Sequence, residues 1–567
     1  MIDFVDFISE HSKVLRGSCV VAILTLLSNS VLFGQVSAQA QSASASIDGT
    51  IVREGTTEPI QGAKVQLTSP SGPATTTTSG EDGKFEISGL KPGTYQLTAA
   101  QTGYVKARRN GGPSNLTLVA GQRERGVRIQ LAATGMITGR VLDESGRPLT
   151  TAHVFAVRPE YQYGRRAIPV CHSGSVRHAQ TNSNGEYRIL DLEPNDYFVF
   201  ADREGVRCGT LFYPGVTDPS DAALQTVRSG GEISGINFQL QSISRYSAHF
   251  RIAAPSSSSA QTPTVKTQLI RLSRNGIALV ESIMPVMPLG GGGETLADGE
   301  YTRTGLLPGS YELFLDYNVG AEIGHASFVI SDRDIDGGTI VVQPSIALSG
   351  RVYAPDGAPS EWSVNKARVV LRPEDVRDQV VALALAPQTG VATDGSFLIA
   401  FTPNPGTTER MGRVAEGLYQ VSLNGLIEDQ YLASAQYGAI DVMNGGLKVD
   451  GPAPGPLILA VKSGGRVDGV VQNTKYEAVA DCRVVIVPSQ NHRGNPSLFK
   501  TAFSDQNGKF SLRGVAPGDY SVFAWEDIEN GAWENEEYLK DFENRAMHIT
   551  VLPGTSSSIS VRLIPAP

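Results

Sequence analysis

One turn-and-strand pattern recurs along the chain and constrains its fold more than any other feature. Each copy has Asp-Gly or Asn-Gly before an aromatic residue, and then a Pro-containing turn before Tyr. In four copies the Asp or Asn lies ten residues before the Pro and thirteen before the Tyr, and these copies begin at Asp82, Asn184, Asp298 and Asn507. A stretched fifth copy begins at Asp394. The repeating unit is therefore about 100 residues long, which is the size of a small domain.

The pattern has a direct physical interpretation as two consecutive hairpin turns. Asp-Gly and Asn-Gly supply the positive φ angles of a tight turn, and Pro-Gly fits the next turn because Pro fixes φ and Gly accepts the left-handed position. Between the turns, alternation such as Phe85-Glu86-Ile87 directs every second side chain into a core. Most copies also open with a glycine-led strand and close with an alternating strand. About seven short strands per 100 residues predict a β-sandwich.

The spacing of the copies predicts an all-β tandem array of about five sandwich domains. Repeat 3 lacks a clear glycine-led opening, and repeat 4 carries a Pro-rich insertion between its two turns. The predicted domains, called repeats 1 to 5 here, are residues 41–133, 134–243, 244–346, 347–463 and 464–567.

The first forty residues predict a signal peptide. Lys13 and Arg16 precede an apolar run over residues 20–27 and 31–33, and Ala38-Gln39-Ala40 has the small-residue pattern of a cleavage site. The alternative is a membrane anchor, but the run is interrupted and shorter than the ~20 residues that a span needs. We expect cleavage after Ala40, a mature chain without a transmembrane segment, and a secreted, periplasmic or cell-surface location.

The net charge argues against nucleic acid as a partner, and the cysteines suggest a disulfide rather than a metal site. The formal net charge is -9, and without a basic cluster the chain is not expected to bind nucleic acid. In an oxidising compartment, Cys171 and Cys208 are predicted to form a disulfide within repeat 2, whereas Cys482 lies in an apolar strand and is predicted to be a buried thiol. The alternative is a zinc site formed with His172 and His178, but the spacing matches no standard pattern, so no metal site is predicted.

The repeated turns resemble the carboxypeptidase regulatory-like domain and, more broadly, the collagen-adhesin B-type repeats of bacterial surface proteins. The residues that carry the resemblance are Asp-Gly or Asn-Gly before Phe or Tyr, followed by Pro-Gly-x-Tyr, and they are clearest in repeats 1, 2 and 5. The resemblance implies an immunoglobulin-like or prealbumin-like sandwich without catalysis of its own. Some adhesin repeats carry a Lys–Asn isopeptide bond, but neither Lys64 nor Asn237 has a suitable partner strand, so none is predicted.

The sequence contains no recognisable catalytic or cofactor motif. None of the eight histidines has a Glu three residues later, and there is no His-Glu-x-x-His helix, nucleophile elbow or phosphate-binding loop. We therefore predict no catalytic residues, no cofactor and a non-catalytic binding, adhesion or spacer module, with a polysaccharide or a cell-surface protein as the possible partner. A hydrolase is the remote alternative.

Repeat 5 contains the most distinctive surface candidate. Trp525, Trp533 and Tyr538 lie within an acidic stretch, and the apolar spacing over Glu534 to Arg545 predicts a short amphipathic helix. One interpretation is a carbohydrate-binding platform, in which the aromatic rings stack on sugars and the carboxylates accept their hydroxyl groups. The alternative interpretation is a helix that caps the sandwich by burying Trp533, Leu539 and Phe542, because large aromatic side chains are usually part of a core.

Overall fold

The computed structural model describes most of the chain after the predicted signal peptide. The described residues are 44–69, 72–106, 114–162, 164–168, 176–203, 211–241, 244–253, 265–275, 277–285, 294–297, 299–317, 322–355, 367–374, 387–400, 414–451 and 454–566. Residues 44 onwards belong to one compact unit, Ala43–Pro567. The predicted signal peptide lies outside the described residues.

The described residues form an all-β protein with several β-sandwich domains, which confirms the predicted fold class. Buried apolar residues form a large cluster within each repeat, between two sheets of strands. In every repeat the first strand pairs in parallel with a strand near the end of the same repeat, which joins the two ends of each sandwich.

Repeats 1 and 2 illustrate the architecture. The strands of repeat 1 are Ala45–Arg53, Lys64–Ser69, Gly72–Thr78, Lys84–Leu90, Gly93–Ala100, Tyr104–Lys106, Ser114–Leu118 and Arg123–Ala133. The strands of repeat 2 are Gly135–Asp143, His153–Val157, Glu160–Gln162, Arg165–Ile168, Arg177–Gln180, Glu186–Leu192, Asn195–Asp202, Leu211–Phe212, Gln225–Val227, Glu232–Ile233 and Phe238–Leu240. Among the described residues of repeat 2, a 3-10 turn, Pro219–Asp221, interrupts them.

Repeats 3 and 4 differ in how their strands are distributed between the two sheets. Those of repeat 3 are Tyr246–Ala253, Val265–Leu272, Ala278–Pro285, Glu294–Ala297, Glu300–Leu306, Gly309–Tyr317, Glu322–Ile330, Ile335–Val341 and Gln343–Pro344. Those of repeat 4 are Leu348–Tyr353, Arg368–Pro373, Gln388–Gly390, Ser396–Ile399, Gly417–Asn424, Gln430–Tyr437, Ile440–Asp441, Leu447–Val449 and Leu457–Ser463.

Repeat 5 combines strands with short helical turns. Its strands are Gly465–Gln472, Arg483–Pro488, Lys500–Phe503, Lys509–Val515, Gly518–Trp525, Met547–Val551 and Ser556–Ile564. Its 3-10 turns are Gln490–His492, Pro496–Leu498, Ala532–Glu534 and Glu543–Arg545, and the α-helix is Glu536–Lys540.

The predicted helix over Glu534 to Arg545 is shorter in the structure. Asn535 has an extended backbone and starts the helix as its N-cap, because its side-chain oxygen accepts a hydrogen bond from the Tyr538 amide at 2.7 Å. The helix ends at Lys540, and a separate 3-10 turn follows. The apolar spacing thus predicted the right location, but the predicted range corresponds to the end of one 3-10 turn, a short α-helix and a second 3-10 turn rather than to one continuous helix.

Two kinds of glycine explain why the repeated pattern is so regular. The turn glycines have φ near +75°, as at Gly83 (+72°) and Gly185 (+71°), where a side chain would be strained. A glycine within the first strand of repeats 1, 2, 4 and 5 has a different role, because a Cβ at Gly49 would lie 2.8 Å from the ring of Phe85. The aromatic residue of the pattern therefore packs directly over this glycine, and Gly139 and Tyr187 repeat this arrangement.

Candidate functional site

The candidate platform of repeat 5 is a packed aromatic cluster. Trp525 is 1% exposed and Trp533 is 7% exposed, and Leu539 is fully buried beside them. Trp525 stacks on Phe523 at 5.0 Å between ring centroids and meets the edge of Phe542 at 5.8 Å. This cluster, called the aromatic end of repeat 5 (Trp525, Trp533, Tyr538 and Phe542), matches the capping interpretation, since its two tryptophan rings offer almost no surface for a sugar.

The aromatic end packs on the outer face of a sheet that is buried on both sides. In Arg483–Pro488 every residue after the first is buried, and in Gly518–Trp525 every residue after the second is buried. The equivalent strand of repeat 1, Lys64–Ser69, instead alternates between buried and more exposed residues. An antiparallel strand with one solvated face shows such alternation, so a continuous buried run means that something covers the second face.

A hairpin from repeat 2 contacts this covered region. It comprises the antiparallel strands Glu160–Gln162 and Arg165–Ile168. In the sequence it lies between His153–Val157 and Arg177–Gln180, which pair with each other in the sheet of repeat 2. We call it the linking hairpin. Gly164, in its turn, has a φ of +73°.

The linking hairpin also joins repeat 2 to repeat 3. Ala167 and Ile168 pair in parallel with Ala278 and Leu279, so the hairpin extends the main sheet of repeat 3 to seven strands. Ile168 and Leu279 are fully buried in a second apolar cluster on repeat 2. The aromatic members of that cluster, all from repeat 2, are Phe155, Phe198, Phe200 and Phe212.

The turn of the linking hairpin lies directly against the helix of repeat 5. Asn535 donates its side-chain amide hydrogen to the carbonyl oxygen of Gly164 at 2.6 Å. A Cβ at Gly164 would lie only 2.6 Å from the backbone oxygen of Glu534, so the close approach requires glycine. Tyr161 of the hairpin meets the edge of Tyr538 with 6.1 Å between ring centroids, and it packs against the buried cluster around the two tryptophans.

Charged groups surround this junction. The Arg166 guanidinium lies 5.4 Å from the centre of the Tyr161 ring and 3.8 Å from a carboxylate oxygen of Glu529. Burial raises the pKa of Tyr538 to about 12, and the neighbouring Tyr161 and acidic side chains add to this increase. Tyr538 is therefore a neutral phenol at physiological pH.

Other inter-repeat contacts involve repeat 5. Arg372 of repeat 4 forms an ion pair with Glu534 at 2.9 Å, and both side chains are at most one-quarter exposed. The side chain of Gln506 hydrogen-bonds to both the amide and the carbonyl of Thr117 in repeat 1, at 3.3 and 3.1 Å. Repeat 5 thus contacts repeats 1, 2 and 4 through described side chains.

An open cleft of about 530 Å³ lies beside the helix of repeat 5. Several of the charged and polar groups that line the cleft bond to one another. Arg493 forms an ion pair with Glu543 at 2.5 Å, and the hydroxyl of Thr550 donates a hydrogen bond to Asp519 at 2.7 Å. Ser521 lies 3.1 Å from His548 Nδ1, directly across two paired strands. The cleft has a mixture of charges and no single electrostatic character.

The other candidate residues from the sequence are only partly described. Cys171, His172 and Cys208 lie outside the described residues, as does the predicted cleavage site. His178 lies on an edge strand, with its ring stacked on Phe155 at 5.6 Å. Cys482 is 1% exposed, with its sulfur 3.5 Å from the Ala480 carbonyl oxygen.

In the part of the chain that the structure describes, no three His, Cys, Asp or Glu side chains are grouped closely enough to hold a metal ion. No helix in the described part of the chain has the length and apolar character needed to cross a membrane.

Sequence reasoning did not identify the linking hairpin, although a signal for the covered faces was present. Residues 197–201, Tyr-Phe-Val-Phe-Ala, and 484–487, Val-Val-Ile-Val, are continuous apolar runs rather than alternating strands. Such runs indicate strands that are buried on both faces. The contribution of the hairpin to the cluster of repeat 5 is not encoded locally, because hairpin and helix are separated by more than 300 residues in the sequence.

Comparison with known protein families identifies the first two repeats. Residues 46–132 and 136–241 match the model of the carboxypeptidase regulatory-like domain, so the chain contains two such repeats, as the sequence pattern predicted. No curated protein matches the chain at a significant level.

Solved structures that match the chain at low similarity include two pilins and one further bacterial protein. The TIE protein of Bacillus anthracis is 15% identical, with 53% of this chain covering 50% of that one and a TM-score of 0.17. The minor pilin of Streptococcus agalactiae is 14% identical over 39% of this chain and 100% of the pilin, with a TM-score of 0.22. The major pilin subunit of Bacillus cereus is 8% identical over 92% and 99% of the two chains, with a TM-score of 0.15. Similarities this low carry no information on function.

Proposed function

We propose that the chain is an exported, non-catalytic protein of the cell envelope, in which five β-sandwich domains form a binding, adhesion or spacer module. Each of the five repeats has its own cluster of buried apolar residues, which supports treating it as one domain. Export is supported by the apolar run and cleavage pattern of residues 1–40.

The linking hairpin is the observation that carries the spacer function. A string of domains joined only at consecutive ends bends at each linker, because interfaces between neighbouring domains are usually small. Here the hairpin adds a strand to repeat 3 and hydrogen-bonds to the helix of repeat 5. The non-consecutive contact restrains the domains, so a partner bound to one domain is held at a defined position relative to the others.

The aromatic end of repeat 5 is proposed to hold the linking hairpin in place rather than to bind a ligand. Its two tryptophans are buried, and Tyr161 packs against their cluster. A carbohydrate ligand stacked on these rings would have to displace the cap. Polysaccharide or protein partners are therefore proposed to contact other surfaces of the array.

Cell fractionation tests the proposed location. A C-terminally tagged chain should leave the cytoplasm of a bacterial host, and N-terminal sequencing should give Gln41 as its first residue. The matched control is Leu24→Arg, which places a charge in the apolar run and should leave the full-length chain in the cytoplasm. Cytoplasmic retention of the unmodified chain in its native host contradicts the proposal.

Binding assays test the proposed module function. The purified mature chain is mixed with isolated cell envelopes and with insoluble polysaccharides, and the pelleted fraction is measured. Saturable pelleting with envelopes supports a binding or adhesion role, and its absence supports a spacer. Turnover of peptide or glycoside substrates that persists through repeated purification overturns the non-catalytic assignment.

A further inference from the structure

The edge of one sheet in repeat 1 differs from the corresponding edges elsewhere. In repeats 1, 4 and 5 the strand that follows the second strand forms the edge of the same sheet, and in repeat 2 the strand after the linking hairpin does so. In repeat 3 the corresponding strand carries the linking hairpin on its outer side. In chain order these five strands are Gly72–Thr78, Arg177–Gln180, Ala278–Pro285, Gln388–Gly390 and Lys500–Phe503. An edge strand presents backbone groups that can pair with another chain, so proteins usually shorten, charge or cover it.

Four of the five edges have such protection. Arg177–Gln180 and Lys500–Phe503 contain four residues each, and both begin with a cation. Gln388–Gly390 contains only three residues. Ala278–Pro285 has eight residues and is partly covered, because Ala167 and Ile168 of the linking hairpin pair with its first two residues.

The edge strand of repeat 1 is neither short, charged nor covered, and its one protective feature is Pro73. Gly72–Thr78 has seven residues, no charge and four consecutive threonines. All of its side chains are exposed except that of Thr77, which is half-buried. Among the described strands, only Lys64–Ser69 pairs with it. At about 3.4 Å per residue it offers an edge roughly 24 Å long.

Repeat 3 shows that this position in the fold accepts an added strand. Ala278–Pro285 of repeat 3 corresponds to Gly72–Thr78 of repeat 1, because each follows the second strand of its own repeat and pairs with it on the same side of the sheet. A strand from a different repeat pairs there through Ala278 and Leu279. The geometry of the sandwich therefore permits strand addition at this edge.

We propose that Gly72–Thr78 is a self-association edge, which pairs antiparallel with the same strand of a second copy of this chain. The absence of charge removes the like-charge repulsion that would oppose self-pairing, and threonines facing one another across strands form favourable pairs. An antiparallel pair of identical strands has two-fold symmetry and is closed, so it produces a dimer and not a filament. The two four-stranded sheets then form one eight-stranded sheet.

The expected dimer is weak. Two seven-residue edges bury far less than the ~800 Å² per partner of a standard interface. The net charge of -9 adds long-range repulsion, which physiological salt reduces. We expect a dissociation constant on the order of 100 µM and tighter association at higher salt.

Sedimentation equilibrium of the mature chain, from about 5 µM to about 1 mM, tests the association. Thr76→Lys places a charge at the edge, on the face away from the core residues Val65 and Leu67, and should reduce association at least tenfold without unfolding the domain. Thr94→Lys is the matched control, because Thr94 is exposed on the same sheet but lies on an interior strand. It should associate like the unmodified chain.

Hydrogen exchange locates the contact. Amides within residues 72–78 should exchange more slowly at high protein concentration than at low concentration, and Thr76→Lys should abolish the difference. A chain that stays monomeric to about 1 mM overturns the proposal. So does a dimer that forms without protection of residues 72–78, or one that Thr76→Lys and Thr94→Lys weaken equally.

Discussion

At the residue scale, a buried hydroxyl recurs in three repeats and was not anticipated from the sequence. Ser79, Thr181 and Ser504 each lie four residues before the turn glycine. In each case the oxygen accepts a hydrogen bond from a backbone amide at 2.9 Å, and the hydroxyl donates to a carbonyl in the loop before it. The hydroxyl thus fixes the loop between the first two strands. Repeat 4 has Val391 at this position.

Replacing Thr181 by Val should destabilise repeat 2. The amide of Ala152, a fully buried residue, would lose its partner, which costs about 1–3 kcal/mol. Thr181→Ser keeps the hydroxyl and is the control, since repeats 1 and 5 use serine here. Calorimetry of the full chain measures both. Equal melting curves for the two variants would show that the hydroxyl does not contribute.

The residue scale also shows where turn glycines can be predicted and where they cannot. The Asp-Gly and Asn-Gly turns were predicted, and Gly83, Gly185 and Gly508 have the expected positive φ. A second left-handed position is Gly62 in repeat 1, but it is Thr151 in repeat 2 and Asp481 in repeat 5. No pattern of residue types marks that position, because the surrounding hydrogen bonds impose the conformation on unfavourable residues.

At the element scale, the linking hairpin is an insertion that changes the environment of distant strands. Corresponding strands alternate in repeat 1 but are buried on both faces in repeats 2 and 5. In repeat 2 the hairpin residue Ile168 packs in the cluster on the second face, and in repeat 5 Tyr161 of the hairpin packs against the cluster that the aromatic end of repeat 5 forms there. The sequence was sufficient to predict the sandwich and its turns, since these depend on local residue types. Long-range docking of the hairpin depends on shape and could not be read from local patterns.

The turn of the linking hairpin should tolerate only glycine at its tip. Gly164→Ala adds a Cβ 2.6 Å from the Glu534 oxygen as well as strain at positive φ, and should cost about 2–4 kcal/mol. Gly146→Ala is the matched control, because Gly146 has φ of +79° but open space around it, so only about 1 kcal/mol is expected. Amide exchange in residues 532–541 should accelerate in Gly164→Ala alone. Similar exchange in both variants would mean that the hairpin does not protect the helix.

The aromatic end should behave as a core element. Trp533→Ala should cost about 3–5 kcal/mol, because the ring is buried and the Arg483 guanidinium lies 4.9 Å from its centre. Tyr476→Ala is a suitable control, since Tyr476 is 73% exposed and should have little effect. Thermal denaturation measures the difference. Glycan binding that Trp533→Ala abolishes without any loss of stability would instead support the platform interpretation.

At the scale of the whole molecule, the arrangement of the domains depends on the contact between repeats 2 and 5, which are not consecutive. Glu529, Glu534 and Asn535 of repeat 5 interact with residues of repeats 2 and 4. Each of these polar contacts is small, since a neutral hydrogen bond such as that of Asn535 contributes about 1 kcal/mol and a partly exposed ion pair such as that of Glu529 contributes at most about 1 kcal/mol. The apolar clusters beside them and the added strand provide the larger stabilisation.

Distance measurement by electron spin resonance between repeats 2 and 5 tests this claim most directly. Spin labels are attached to Arg165→Cys and Glu537→Cys, with Cys171 and Cys208 replaced by Ser. The hydrogen bond between Gly164 and Asn535 places these backbone positions within about 20 Å of one another. We predict a narrow distance distribution near that value, which Gly164→Ala broadens. A broad distribution centred beyond about 40 Å in the otherwise unmodified chain would contradict the account.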